Sequence, residues 1–171
     1  MIFRTTQKLN KKLKLTPTNG LPLEMNPFGD WSADLFTVKR THYIIISNTP
    51  SLYSVVIYGQ GITHGGRFVD QAIQMIRSCM EWDGKAFLYQ RFVMPTMNQI
   101  RFSNTLNRST TGSLNELVRV AKRILEDDSV APSEVGTLLN DILLSSIAGE
   151  DDTGYCTQNE AFKRLVDSMS V

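Results

Sequence analysis

The stretch Ala33–Tyr58, ADLFTVKRTHYIIISNTPSLYSVVIY, decides the fold. It contains three runs of β-branched and aromatic residues, Ala33–Lys39, His42–Asn48 and Leu52–Tyr58, divided by short polar turns. Branched and aromatic side chains pack well on a pleated surface, and turns this short join antiparallel neighbours. The stretch therefore predicts an antiparallel meander. Within it, Tyr43–Ile46 is apolar without alternation. A strand with no polar face is covered on both sides. Helices are expected over one face, and more helices or a second subunit over the other.

Working outward toward the N-terminus, Met1–Thr5 reads as a short strand and Gln7–Leu15 as a basic helix capped by Thr6. Leu9 and Leu13 fall on one face of that helix, and Lys8, Lys11, Lys12 and Lys14 take the rest. Thr16–Asp30 holds three prolines and two glycines and reads as a loop.

In the other direction, the glycine-rich Gly59–Gly66 leads into a helix over about Arg67–Trp82. Its Phe68, Val69, Ala72, Ile73, Ile76, Cys79 and Met80 recur at helical spacing. Lys85–Val93 reads as helical and Gln99–Asn104 as a strand. Ser113 and Glu116 have the spacing of a capping box ahead of an apolar stripe that runs from Leu114 to Leu125. A further helix opens at Pro132–Ser133, with Val135, Leu138, Leu139, Ile142 and Leu143 on its apolar side. Thr157 and Glu160 form a second capping box before Phe162, Leu165, Val166 and Met169. The expected architecture is α+β: an antiparallel or mixed sheet of about five strands packed by three or more helices. Residues 1–171 are expected to form a single domain, helical from about 113 to 171.

Charge is divided unevenly. Residues 1–123 hold sixteen of the eighteen Lys and Arg and seven of the seventeen Asp and Glu, a formal +9; the remaining two and ten leave −8 in residues 124–171. A basic body with an acidic tail segment suggests an anionic partner, or contact between the opposite fields within or between chains. The acidic clusters Glu126–Asp128 and Glu150–Asp152 are expected to lie near basic surface. Two histidines, His42 and His64, and two scattered cysteines, Cys79 and Cys156, lack the clustered spacing of a metal site. No cofactor signature is present, so no metal and no cofactor are expected. Cys79, on an apolar helix face, reads as a buried thiol of a reducing compartment. No run is long enough to span a membrane, and the first charge at Arg4 leaves no room for a signal peptide's apolar stretch. A cytoplasmic location is expected.

Two loops are candidate sites. Asn104–Glu116 combines short polar side chains, one arginine and a helix start, which together suit a phosphate, a carboxylate or a nucleic-acid backbone. Its candidate residues are Asn107, Arg108, Ser109, Gly112, Ser113 and Asn115. The alternative anion loop is Gly59, Gly61, His64, Gly65 and Gly66, between a strand and a helix. Tyr58-Gly59-Gln60-Gly61-Ile62 partly resembles the pyrophosphate loop of the acetyl-CoA-dependent N-acetyltransferases. It departs from that pattern at Val56, where a basic or amide residue would stand, and at Thr63-His64, where glycine is usual. The basic segment Arg4–Lys14 is a third candidate, for phosphate contact, although no aromatic residues alternate with its charges for base stacking.

Met1-Ile2-Phe3-Arg4-Thr5-Thr6-Gln7-Lys8-Leu9, the stretch from Leu35 to Val56, and Asn107-Arg108-Ser109-x-x-Gly112-Ser113-x-Asn115 resemble a family of small uncharacterised bacterial proteins. The chain departs from that family at Thr5, where cysteine is frequent, and at Thr110-Thr111, where apolar residues are. The resemblance implies a bacterial origin, with carriage on mobile elements, and assigns no particular activity. The leading functional expectation is a non-catalytic binding or interaction domain that self-associates. An acyl-CoA-dependent transferase and a nucleic-acid binder are the alternatives.

Overall fold

In a computed structural model, which describes residues 1–149 and 154–169, the meander forms as the sequence predicts. Strands β2 (Asp30–Val38), β3 (Thr41–Asn48) and β4 (Ser54–Tyr58) pair antiparallel in succession. Strand β1 (Ile2–Thr5) lies parallel to β2, and β5 (Arg101–Asn104) parallel to β1. The result is a five-stranded mixed sheet in the order β4-β3-β2-β1-β5. Six helices accompany it: α1 (Gln7–Leu13), α2 (Gly65–Trp82), α3 (Ala86–Leu88), α4 (Arg108–Leu125), α5 (Pro132–Asn140) and α6 (Gln158–Met169). A small pair, β6 (Leu143–Leu144) and β7 (Cys156–Thr157), precedes α6. The fold is α+β.

Each face of the sheet carries its own core. Trp31, Ala33, Ile44, Ile46, Val55 and Ile57 pack under α1 and α2 through Leu9, Leu13, Phe68, Ala72 and Ile76. On the opposite face Phe36, Val38, Ile45 and Val56 meet α4 and α5 through Leu114, Leu117, Ala121, Val135 and Leu139. Ile44, Ile45 and Ile46 are all fully buried, because alternate side chains of β3 enter different cores. Helices cover both faces, so β3 needs no second subunit to bury it.

The second face is polar toward β1 and β5, and here the structure corrects the reading of the basic N-terminus. Arg4 is 1% exposed. Its Nε and Nη2 each donate to the Asp30 carboxylate at 2.8 Å, and its Nη1 and Nη2 donate to Leu21 O and Pro22 O. The guanidinium thereby makes four hydrogen bonds, two of them in the fork geometry suited to carboxylate. It fastens the loop after α1 across the sheet and is not basic surface. Asp34, also buried, accepts from Thr6 Oγ1 at 2.5 Å and pairs with Lys8 at 3.2 Å. Thr6 therefore makes no side-chain cap for α1, and α1 ends at Leu13 because Lys14 turns left-handed at φ 54°.

Other boundaries also move. β2 begins at Asp30, so fully buried Trp31 belongs to the strand and only Pro27–Gly29 forms a short 3-10 turn before it. The Lys85–Val93 segment is α3 followed by one wide π turn over Tyr89–Val93 and a 3-10 turn over Met94–Asn98. α4 begins five residues before Ser113, since Asn107 is the cap: its Oδ1 accepts from Thr110 N at 2.8 Å. α5 stops at Asn140, whose side chain leaves the helix to bond β4. Leu143 falls beyond the helix and is exposed, and Leu138 is exposed because the buried stripe of α5 runs through Val135, Gly136 and Leu139. The predicted box at α6 forms: Glu160 Oε2 accepts from Thr157 N at 2.9 Å, and Thr157 Oγ1 from Glu160 N at 3.2 Å.

Both sheet edges carry a covering segment. Asn140 accepts from Ser54 N at 2.7 Å and donates to Ser54 O at 3.1 Å, closing the start of the β4 edge. Thr18 does the same for β5, donating to Phe102 O and accepting from Asn104 N. Covered edges discourage strand addition by another chain.

Candidate functional site

β1, β2, β4 and β5 run in one direction, so the helices that follow β1, β4 and β5 start at one end of the sheet. Their N-caps are Thr6, His64 and Asn107. Both sequence-predicted loops thus lie at the same end. Three of the polar side chains there are already engaged. Asn107 accepts from Thr110 N and Thr110 Oγ1. His64 Nδ1 accepts from Arg67 N at 3.3 Å. Asn104 bonds Asn10 and Asn19.

Two of the loop glycines serve packing. A Cβ at Gly59 would stand 3.2 Å from the His42 backbone, and one at Gly65 would stand 2.8 Å from Leu15 and 3.3 Å from the Phe102 ring. Gly61 supplies a positive φ of 75°. Gly66 is exposed beside the His64 ring. On α4, exposed Arg108, Gly112 and Asn115 share one stripe by helical spacing, and Ser109 and Ser113 turn toward the next. Arg108 has no ion pair among the described residues.

A larger concavity lies elsewhere, between α2 and α5. It encloses about 700 Å³ and is walled on one side by Met75, Ser78, Cys79 and Trp82, and on the other by Ser133, Glu134, Thr137 and Leu138. Ser129 and Val130 complete its lining. The α2 residues follow the i, i+3, i+4, i+7 spacing of one helix stripe. Trp82 is 83% exposed and Leu138 48%. Gly136 makes the groove by bringing α5 close: a Cβ there would stand 2.7 Å from Ser54 O and 3.1 Å from the Val55 Cα.

Beneath the groove lies a polar staple. Asp83 accepts from Tyr53 Oη at 2.6 Å and from Thr137 Oγ1 at 3.5 Å. Lys85 pairs with it at 3.8 Å and sits 5.5 Å from the Tyr53 ring centre. Burial first, and then the Asp83 charge, push the Cys79 thiol up to about 11. Burial and the Asp83 hydrogen bond raise the Tyr53 hydroxyl as well. Neither group is primed as a nucleophile or base at neutral pH. A second hollow of about 460 Å³ adjoins Asp83 and Lys85 on the α6 side, with lining charges of both signs.

Sequence reasoning placed Cys79 and Leu138 on apolar faces and missed the groove. The available signal was Trp82, which falls at helical spacing from Cys79 and Met75 beside the polar Asp83-Gly84 stop. Among the described residues no group of three or more His, Cys, Asp or Glu is placed to hold a metal ion, and no helix is long and apolar enough to cross a membrane.

The architecture is thus an α+β protein with one broad apolar groove at its surface. A family model described as a domain of unknown function (DUF6933) matches residues 2–159, and the chain belongs to that family. No curated protein and no solved structure matches it.

Proposed function

We propose that the protein is a non-catalytic binding domain that takes its ligand in the α2–α5 groove. The observation that carries this reading is the 83% exposed Trp82 at the lip of a groove of about 700 Å³. That volume lies within the range of about 300–1,000 Å³ usual for ligand sites. A large amphipathic ring left in water beside Leu138 and Val130 gains most when a partner covers it. The unreactive state of Cys79 and Tyr53 favours binding over covalent chemistry at this place.

The alternatives have less behind them. Gly59 and Gly65 are committed to packing, which weakens the acyl-CoA reading. Arg4 is committed to Asp30, which leaves a smaller basic surface for nucleic acid.

The test uses Nile red, a neutral apolar dye, with Trp82 as energy donor. Trp31, fully buried, is the constant reference. Saturable dye fluorescence is expected, and Leu138→Asp should abolish it while the urea midpoint stays near wild type. Dye binding that Leu138→Asp leaves intact contradicts the reading.

A further inference from the structure

The groove's walls and its charge describe its occupant. Both walls are helices, and their residues recur at helical spacing: Met75, Ser78, Cys79 and Trp82 on α2, Ser133, Glu134, Thr137 and Leu138 on α5. Two helical ridges of this kind form a seat for a third helix, whose i, i+3, i+4 side chains enter between them. No Lys or Arg is among the lining residues, and their one ionisable carboxyl is Glu134, which reaches back to Ala131 N at 2.8 Å. At the Ser129 end the chain carries exposed Glu126, Asp127 and Asp128. Asp127 accepts from Ser129 N and Oγ at 3.0 and 2.8 Å, and these bonds hold its carboxyl below the usual range and therefore charged.

The neighbouring cations are paired or stand beside Glu126. Arg77 is bonded to Glu81 at 2.8 Å, Lys85 faces Asp83, and Lys39 and Asp128 offset each other at 2.9 Å. Lys122 and Arg123 lie in the last turn of α4, beside Glu126, which leaves Asp127 and Glu134 as the carboxylates of the groove.

We infer that the α2–α5 groove receives a cationic amphipathic helix of a partner protein, its apolar side against Trp82, Val130 and Leu138 and its Lys or Arg side toward Glu134 and Asp127. This rests on the groove being the binding surface. A second copy of this chain is a poor source of that helix. Its own lysine-rich helix, α1, keeps Leu9 and Leu13 buried, so it has no apolar face to offer.

Three synthetic peptides of equal length test the inference: a helix-forming Leu/Lys peptide with apolar residues at i, i+3, i+4 and i+7, the same pattern in Leu/Glu, and a scrambled Leu/Lys sequence. Binding is read by Trp82 emission and by calorimetry against wild type and Leu138→Lys. The patterned Leu/Lys peptide should bind with 1:1 stoichiometry and shift Trp82 emission to the blue. The Leu/Glu and scrambled peptides, and the Leu138→Lys protein, should each bind at least tenfold more weakly. Equal binding of the three peptides overturns the inference. If Nile red still binds in a Leu138-dependent way, the groove itself survives and only its occupant is wrong. A concentration-dependent blue shift of the protein alone, lost in Leu138→Lys, makes a second copy the occupant and also overturns it.

Discussion

Asn107 shows how one side chain can mislead a sequence reading. Ser113 and Glu116 have correct capping-box spacing, yet Asn107 captures the first turn six residues earlier. Residues 108–112 contain no proline, and their two threonines add side-chain bonds back to Asn107 through Thr110 Oγ1 and Thr111 Oγ1. These local bonds offset weak helix propensity in the first turn. Asn107→Ala should cost about 1 kcal/mol of stability by urea unfolding, as lost caps do. Ser113→Ala, inside the helix, should be near neutral. The reverse ranking would restore the cap to Ser113. Ile45 offers a harsher test. It is fully buried in the second core, and a carboxylate there has no partner. Ile45→Asp should unfold the protein, since an unpaired buried charge costs several kcal/mol, comparable to the stability of a whole domain. A cooperative urea transition near that of wild type contradicts the double-covered strand.

At the scale of elements, strands were easier to read than helix ends. The uninterrupted Tyr43–Ile46 run and the short turns around it identify β2, β3 and β4 because burial on both faces removes every polar choice. Met1–Thr5 was legible as a strand, but its parallel pairing with β2 was not: the pairing brings Arg4 to Asp30 across 26 residues, a contact that no local pattern encodes. The groove was hidden for a similar reason. Leu138 fits the apolar template of α5, but the stripe that α5 buries runs through Pro132, Val135, Gly136, Leu139 and Asn140, and Leu138 lies off it, toward solvent. Two glycines separate helix propensity from packing. Gly112 has open space at its Cβ position, so Gly112→Ala should stabilise by about 0.5–1 kcal/mol. Gly136 is pressed on the β4 backbone at 2.7 Å, so Gly136→Ala should destabilise by about 1–3 kcal/mol despite the same propensity gain. Stabilisation by both would mean that α5 does not seat closely on β4.

At the scale of the whole molecule, the uneven charge resolves partly within the chain. Lys39 pairs with Asp128 and donates to Glu126 O at 2.8 Å, so the basic body meets the acidic cluster at the turn between β2 and β3. Both partners of that pair are more than half exposed, so it orients more than it stabilises. The other acidic cluster, Glu150–Asp152, lies outside the described residues. Glu134 lines the α2–α5 groove, and Asp127 is bonded to the lining Ser129. The most direct test of the groove as the binding surface is backbone amide NMR during a Nile red titration. Shifts should concentrate at Met75–Trp82 and Ser129–Leu138 and saturate with one midpoint. Shifts centred on Gly59–Gly66 or Asn107–Asn115, with α2 and α5 unmoved, would contradict the account.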